Sequence, residues 1–239
     1  MNAGPDIAEI AALIGDPARA NILTALMDGR ALTATELSHR AGVSPQTTSG
    51  HLHKLAAAGL LGLAKQGRHR YYRLASPAVA QAIEALFIVA AAAPKPKRLP
   101  TKADGAIRFA RTCYDHFAGW LGVALTDAMV ARGYLAPEGE NFRVTPAGER
   151  FLARLDIDVG TARRARRAFA CQCLDWSERR PHLAGALGAA LAASCFARGW
   201  VVRATGTRGV VLTRAGRRAL TETFGLILPD ESEALRRSA

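Results

Sequence analysis

Apolar residues along the first thirty positions recur at helical spacing between helix start and stop signals. The pattern predicts helices over 6–13 and 17–27. Asp16 stands at the N-cap of the second helix, and Pro17 suits the first helical position because its missing N–H needs no partner there. Gly29 is placed to end this helix. The chain therefore begins with two short helices.

A second helical pair follows directly. The pattern predicts a helix over 35–41, a turn at Gly42, and a helix over 45–58 with Ser44 as its N-cap. This order is a helix-turn-helix, in which the second helix enters the major groove of DNA.

The second helix of this pair has distinct inner and outer faces. Thr48, Leu52 and Leu55 share one face at i, i+4 and i+7, so we expect them to dock on the preceding helices. Small polar side chains near the N-terminus of the other face can reach base edges and phosphates. The DNA contacts predicted on this helix are Ser44, Gln46, Thr47, Ser49 and His53.

A basic hairpin comes next. Strands predicted over 62–64 and 71–74 enclose the turn 65–70, which carries Arg68 and Arg70. Directly after a helix-turn-helix, such a hairpin is a wing, and its arginines contact phosphates or enter the minor groove. We therefore add these two arginines to the predicted DNA contacts.

Prolines mark the end of this first part. Pro94, Pro96 and Pro100 fall within seven residues and exclude a helix, while the basic side chains between them keep the segment in solvent. We place a linker at 94–104. It separates a predicted DNA-binding domain over 1–93 from a second domain over 105–239.

Behind the linker the sequence repeats itself. Residues 116–125 reappear as 182–191, and 142–152 resemble 210–220. Each copy predicts a helix ending in Arg-Gly, two short strands, and a second helix capped by threonine. The predicted fold is mainly α (α+β), with an N-terminal winged helix-turn-helix followed by a module of two winged-helix-like repeats. The copies extend over about 105–158 and 163–228.

The chain is strongly basic, with a formal net charge of +12 over its 239 residues. This charge favours double-stranded DNA as partner before a membrane, because no basic amphipathic helix is evident. The longest apolar run, 86–93, is far shorter than the roughly 20 residues of a membrane span. Four cysteines do not make a disulfide framework in a chain of this length. We therefore expect a cytoplasmic protein associated with the nucleoid.

Two segments resemble the ArsR/SmtB family of winged-helix repressors. Residues 14–23 (IGDPARANIL) match its opening helix signature and 43–52 (VSPQTTSGHL) its recognition helix, within a resemblance that covers about 7–90. The resemblance implies a homodimer that binds an operator palindrome and releases it when an inducer, commonly a metal or metalloid, binds. Gly50 departs from the pattern, because the family often has a larger polar residue there.

The family's sensing motifs are missing from this part of the chain. Its thiolate site aligns with 33–36 (TATE), which contains no thiol. Its other common site aligns with 77–87, which offers only Glu84. Any sensor is therefore expected in 105–239, where all four cysteines lie.

The candidate metal ligands occupy equivalent places in the two repeats. On a helix, Cys113 and His116 face one way as i and i+3, and they suit a thiophilic or borderline metal ion. Cys171 and Cys173 can share a metal only where the backbone is extended or broken. Equivalent sets in two pseudo-symmetric copies can converge on the axis between them. The metal or redox candidates are Cys113, His116, Cys171, Cys173, Asp175 and His182.

Three alternatives stand beside a metal site. The first is thiol redox sensing through Cys171 or Cys173, with a neighbouring arginine lowering a thiol pKa. The second is an organic effector in a cleft between the repeats that touches Phe117, Trp120 and Trp176. The third is a purely structural or dimerising role, since cysteines in alanine-rich helices are usually buried packing residues.

These features predict a sequence-specific DNA-binding transcriptional regulator. We expect a homodimeric repressor that a metal or metalloid, a thiol oxidant or a small organic molecule releases from its operator. The alternative is an architectural DNA-binding protein that senses nothing. An enzyme is not expected, because the sequence shows no nucleophile–base pair, phosphate-binding loop or complete zinc signature.

Overall fold

The computed structural model describes residues 7–67, 69–93 and 101–229. The chain divides into two compact units between Leu86 and Phe87.

The predicted linker, 94–104, extends too far at its C-terminal end. Residues 94–100 lie outside the described residues, but a helix begins at Lys102. The Thr101 hydroxyl accepts a hydrogen bond from the Asp104 N–H (3.3 Å), and the Asp104 carboxylate accepts one from the Thr101 N–H (2.8 Å). This reciprocal capping fixes the helix start inside the segment that prolines were expected to keep open.

The first unit begins its helices where the sequence predicts them. Asp16 accepts a hydrogen bond from the Arg19 N–H at 2.9 Å, and Ser44 accepts one from the Thr47 N–H at 3.1 Å. Gly42 adopts the left-handed φ of 68° that the turn requires. The elements in chain order are α1 (Ile7–Ile14), α2 (Pro17–Ala25), a 3₁₀ turn (Leu26–Asp28), β1 (Leu32–Thr33), α3 (Ala34–Ala41), α4 (Pro45–Ala57), β2 (Leu61–Gln66), β3 (His69–Leu74) and α5 (Pro77–Ala92).

The two faces of α4 are as predicted. Thr48, Leu52 and Leu55 are fully buried. They pack in a core that includes Leu23 of α2 and Leu37 of α3. The helix-turn-helix prediction is therefore confirmed down to the side chains that dock it.

The wing is longer in its strands and shorter in its turn than the sequence suggested. β2 and β3 pair from Leu61 to Gln66, so most of the predicted turn 65–70 is strand, and Arg70 lies opposite Lys65. Gly67 has a left-handed φ of 57°, which permits a turn tight enough for this register. Arg68 lies outside the described residues. β1 joins the other side of β3 to complete a three-stranded sheet.

The second unit contains two copies of one arrangement, a hairpin, a helix, a second hairpin and a second helix. A helix precedes the first copy and a short helix lies between the copies. The elements are α6 (Lys102–Phe109), then β4 (Arg111–Cys113), β5 (His116–Ala118), α7 (Gly119–Ala131), β6 (Leu135–Glu138), β7 (Asn141–Val144) and α8 (Pro146–Ala153), then α9 (Val159–Arg163), then β8 (Cys171–Leu174), β9 (Pro181–Ala184), α10 (Gly185–Ala197), β10 (Val201–Arg203), β11 (Val210–Leu212) and α11 (Arg214–Phe224).

The predicted second hairpin and threonine cap are present in both copies. Thr145 accepts a hydrogen bond from the Gly148 N–H at 3.0 Å, and Thr213 accepts one from the Gly216 N–H at 2.9 Å. The first hairpin of each copy was not predicted, because its segments were interpreted as helical. In the second copy, Pro181 begins strand β9 of this hairpin.

The two copies exchange strands. The β8–β9 hairpin extends β6–β7 into a four-stranded sheet, in which the Phe142 N–H donates to the Ala170 carbonyl at 2.8 Å. In the mirrored arrangement β4 lies beside β11, and the Val210 N–H donates to the Ala110 carbonyl at 2.9 Å. The first hairpin of each copy therefore meets the second hairpin of the other copy, as one continuous sheet at β7–β8 and through an isolated bridge between Arg111 and Gly209.

The first hairpins also pack on the helix of the opposite copy. β5 lies against α10, and β9 lies against α7. Two glycines allow the helices to approach the hairpins: a Cβ added at Gly122 would lie 3.6 Å from the His182 Cβ, and one at Gly188 would lie 3.2 Å from the His116 Cβ. This exchange places the ends of both hairpins together in the middle of the unit.

Among the described residues, no single helix is long and apolar enough to span a membrane. Taken together, α1 and α2 reach the length and apolar composition of a membrane span. The two helices are bent by 86° where the first ends and the second begins.

Candidate metal centre

Four side chains from the two exchanged hairpins meet in the second unit. Cys113 and His116 are directly opposite each other in β4–β5, and Cys173 and His182 are directly opposite each other in β8–β9. One ligand atom from each of the four lies within 4.8 Å of all the others. We call this group the cysteine–histidine cluster.

The prediction that Cys113 and His116 share a helix face is wrong. A spacing of three also places two residues opposite each other across a two-residue hairpin turn. Tyr114 adopts a left-handed φ of 61°, and this turn brings the two side chains onto one face of the hairpin.

The second hairpin reaches the same geometry with a longer turn. The Asp175 carboxylate accepts hydrogen bonds from the backbone N–H groups of Ser177 (2.8 Å) and Glu178 (3.0 Å). These contacts organise the turn between β8, which ends at Leu174, and β9, which begins at Pro181. The turn ends at Pro181 and leaves His182 opposite Cys173.

The distances fit a tetrahedral metal ion. The Cys113 and Cys173 sulfurs are 3.9 Å apart. Two thiolates bound at about 2.3 Å with a tetrahedral angle between them would lie about 3.8 Å apart. The imidazole rings of His116 and His182 complete the set, with centroids 5.2 Å apart.

Both histidines of the cluster carry buried nitrogens that lack hydrogen-bond partners within the described part of the chain. The Nε2 atoms of His116 and His182 are buried and have no hydrogen-bond partner among the described residues. Buried polar atoms without partners cost free energy, so native proteins rarely keep them unless a water, an ion or a ligand is bound. A metal ion would satisfy both nitrogens at once.

Each histidine has a carboxylate at its other nitrogen. Asp115 Oδ1 lies 3.4 Å from His116 Nδ1, and Asp175 Oδ2 lies 3.6 Å from His182 Nδ1, an ion-pair distance that is too long for a hydrogen bond. Carboxylates in this position orient metal-binding imidazoles and leave Nε2 free to coordinate. The sequence suggested Asp175 as a metal ligand. In the structure it lies instead behind His182, which is a candidate ligand.

The two carboxylates differ in their own partners. Asp175 forms a fully buried ion pair with Arg111 at 2.8 Å and accepts a hydrogen bond from the Gly119 N–H at 2.6 Å. Asp115 is partly exposed and pairs with Arg167. Sequence reasoning missed Arg111 and Arg167. It placed Asp115 at the position equivalent to Asp175 in the repeat, but did not include it among the candidate ligands.

The surroundings shift the protonation of the cluster. The hydrogen bond between the Cys113 and Cys173 thiols, together with burial, raises the pKa of Cys113 well above its usual range. Burial opposes the charged form of His116, but the neighbouring Cys113 and Asp115 raise its pKa to about 9. Burial and the charge of His116 lower the pKa of His182 to about 3, against the opposing effect of Asp175. A metal ion bound by these side chains would therefore displace protons from Cys113 and His116, while His182 is already neutral.

The remaining cysteines lie outside the cluster. Cys171 is on β8, two residues before Cys173, and is opposite Ala184. Burial raises its pKa. Cys195 is buried in α10, and burial raises its pKa to about 12. The backbone at Cys171 and Cys173 is extended, as a shared metal requires, but only Cys173 belongs to the cluster.

The three aromatic residues predicted to line an effector cleft have different neighbours. Phe117 is buried in the core with Phe196. Trp120 stacks on Phe109 at 5.3 Å, and the Arg111 guanidinium lies 4.4 Å from the ring of Trp176. The effector cleft remains a prediction.

The predicted DNA contacts lie on the open side of the first unit. The exposed residues are Ser44, Gln46, Thr47, Ser49, His53 and Arg70. Ser44 is also the cap of α4, and its hydroxyl is 2.9 Å from that of Thr47. The N-terminal end of α4 therefore presents a polar surface next to the basic wing.

Comparisons with known proteins agree with a helix-turn-helix in the first unit. A helix-turn-helix domain family matches residues 14–62. The chain is 46% identical over 213 residues to YdfF of Bacillus subtilis (strain 168), described as an uncharacterized HTH-type transcriptional regulator, and the match covers 89% of this chain and 94% of YdfF.

Solved structures match over shorter stretches. HlyU from Vibrio cholerae N16961 is 30% identical, with 34% of this chain and 88% of that chain covered and a TM-score of 0.32. The cadmium sensor CMTR from Mycobacterium tuberculosis is 29% identical, with 40% and 98% covered and a TM-score of 0.32. Structural similarities with TM-scores this low do not support a functional conclusion. The family of this chain is therefore assigned from its similarity to YdfF and from the domain match. The chain belongs to the family of HTH-type transcriptional regulators and is a DNA-binding protein.

Proposed function

We propose that this regulator is a homodimeric repressor whose operator affinity is set by a metal ion bound at Cys113, His116, Cys173 and His182. The observation that carries the proposal is the convergence of these four ligand atoms within 4.8 Å. The orphaned Nε2 atoms and the carboxylates behind both imidazoles support it. It acts in the cytoplasm at the nucleoid, and no enzymatic activity is proposed.

The donor set indicates the class of ion. Two thiolates and two imidazoles in a closed tetrahedral arrangement suit Zn²⁺, or a thiophilic analogue such as Cd²⁺. Four protein ligands leave no position for a reacting water, so this chemistry is regulatory or structural.

The cluster can control the arrangement of the second unit because each copy supplies half of it. Cys113 and His116 come from the first copy, and Cys173 and His182 from the second. A bound ion favours whichever arrangement holds both hairpins together. If that arrangement binds the operator less tightly, the operator must weaken metal binding by the same factor.

The homodimer is supported by an uncovered apolar helix in the first unit. α1 has the sequence IAEIAALI, and none of its residues is buried. Ile7 is 79% exposed, and Leu86 of α5 is 45% exposed. Apolar surface of this kind marks an interaction site, and a second copy of the chain supplies a matching apolar helix.

Replacing the wing arginines is expected to weaken operator binding and to make it less dependent on salt. Each phosphate contact contributes about 0.9 to the slope of log affinity against log salt, so Arg68→Ala with Arg70→Ala should lower the slope by up to about 2. Fluorescence anisotropy with an operator duplex at several salt concentrations measures both effects. Arg143→Ala with Arg180→Ala removes the same charge from exposed positions of the second unit and serves as control. An unchanged slope in the wing variant would refute the wing contact.

Asp115→Asn is expected to weaken zinc binding by about 10- to 100-fold, because it removes the negative charge behind His116. Asp175→Asn should cost affinity and also about 3–5 kcal/mol of stability, because it leaves Arg111 buried without its charge partner. Chelator competition and thermal unfolding separate the two effects. Asp127→Asn, at an exposed pair with Arg180, is the control. Wild-type zinc affinity in Asp115→Asn would contradict the role given to Asp115.

The coordination itself is tested with Co²⁺ and Zn²⁺. We expect one ion per chain, the absorption spectrum of tetrahedral thiolate-bound cobalt, and an X-ray absorption signal of two sulfur and two nitrogen ligands. Binding of no ion would remove the metal proposal. If operator binding also stays unchanged with every metal, oxidant and metabolite tested, the architectural alternative is favoured.

A further inference from the structure

We propose that Cys113 and Cys173 form an oxidisable thiol pair, and that a hydroperoxide converts them to a disulfide that disables the cysteine–histidine cluster. The sulfurs are already 3.9 Å apart and in hydrogen-bond contact. Disulfide formation itself does not depend on the proposed metal site. Its consequence for metal binding rests on that proposed function.

Exposure assigns different roles to the two thiols. Cys113 is buried, with 3% of its surface exposed, whereas Cys173 is only half-buried. A hydroperoxide therefore reaches Cys173 first. Cys113 is then in place to attack the oxidised sulfur from within the protein.

The other cysteines do not offer an equivalent partner. Cys195 is 1% exposed and lies within α10. Cys171 and Cys173 are two residues apart on an extended strand, so their Cα atoms are about 6.6 Å apart, near the upper limit for a disulfide. The cross-copy pair is thus favoured over the pair that is adjacent in sequence.

The reaction proceeds in two balanced steps. The Cys173 sulfur attacks the hydroperoxide, an S–O bond forms as the O–O bond breaks, and the thiol proton leaves with the alcohol or water product. The Cys113 sulfur then attacks the sulfenic acid, an S–S bond forms as the S–O bond breaks, and the oxygen leaves as water with the Cys113 proton. The two thiols lose two electrons, which reduce the hydroperoxide.

Oxidation removes both thiolates from the cluster. His116 and His182 are then the remaining ligands, and two imidazoles do not hold Zn²⁺ as the closed set of four does. We therefore expect bound zinc to be released as the disulfide forms. The disulfide also joins β4 of one copy to β8 of the other.

The test uses the full-length protein without metal, treated with hydrogen peroxide. Accessible thiols after denaturation should fall from four to two. Trypsin should release the peptide 112–132 joined to 168–179. Because the second peptide also contains Cys171, the Cys171→Ser variant should give the same cross-link, and Cys173→Ser should give none. In Cys113→Ser, dimedone should label Cys173.

Three outcomes would overturn the inference: four thiols remaining in the wild type, a link between Cys171 and Cys173, or a link that survives in Cys173→Ser. The test is separate from the metal proposal. Zinc binding without the cross-link contradicts only the thiol pair. The cross-link in a protein that binds no metal supports the thiol pair and contradicts only the metal function. In zinc-loaded protein, a chromogenic chelator should record loss of the bound zinc as the cross-link appears.

Discussion

Cys173→Ser is expected to abolish tight binding of zinc and cobalt. The side chain supplies one of two soft ligands in a set of four, and serine oxygen is a poor substitute for thiolate with these ions. The loss should exceed the roughly 100-fold that removal of a carboxylate behind a ligand costs. Cobalt absorbance should lose its thiolate bands, and chelator competition should quantify the change.

Cys171→Ser is the matched control for this variant. Cys171 lies on the same strand, is half-buried like Cys173, and is outside the cluster. It should bind zinc and cobalt with wild-type affinity and spectrum. If the two serine variants lose metal equally, or if neither does, the assignment of ligands fails.

Gly122→Ala is expected to destabilise the second unit strongly. The added Cβ would lie 2.5 Å from the Phe117 carbonyl oxygen, which is backbone and cannot rotate away. Overpacking of this kind costs about 1–3 kcal/mol or more. Because Phe117 follows His116 in β5, displacement of the strand should also weaken zinc binding.

Thermal unfolding and zinc affinity should therefore fall together in Gly122→Ala. Gly50→Ala is the contrasting change, since Gly50 lies inside helix α4 and an added Cβ meets nothing within 4 Å. That substitution should stabilise the first unit by up to about 1 kcal/mol. A Gly122→Ala protein as stable as the wild type would show that the helix and hairpin are not held at the distance described here.

Local sequence signals were sufficient for much of the fold. Asp16, Ser44, Thr145 and Thr213 cap the helices at the positions that their sequence predicts. The docking face of α4 follows from helical spacing alone. These features depend on hydrogen bonds between residues three apart and on one periodicity, so neighbouring residues determine them.

The site could be predicted only in part. The repeat suggested that Cys113 and His116 meet Cys173 and His182, and the structure brings these four together. The β4–β5 hairpin was missed because a spacing of three is shared by a helix turn and a tight hairpin, and Tyr114 is not a residue that signals a left-handed turn.

The exchange of strands between the copies was beyond sequence reasoning. Contacts such as that between Phe142 and Ala170, or between Val210 and Ala110, depend on pairing across a long stretch of chain. For the same reason no feature of the sequence near Arg111 or Asp175 indicated that these two residues form an ion pair. Non-local contacts of this kind decide which candidate side chains are ligands and which orient them.

Zinc-dependent release of an operator duplex tests the central claim most directly. The duplex is selected by the protein itself, and anisotropy is measured with and without zinc for the wild type and for Cys173→Ser. We expect zinc to lower the operator affinity of the wild type by about 5- to 150-fold, the usual range of coupling between two sites, and to leave the operator affinity of Cys173→Ser unchanged. Equal operator affinity for zinc-loaded and zinc-free wild-type protein would contradict this expectation.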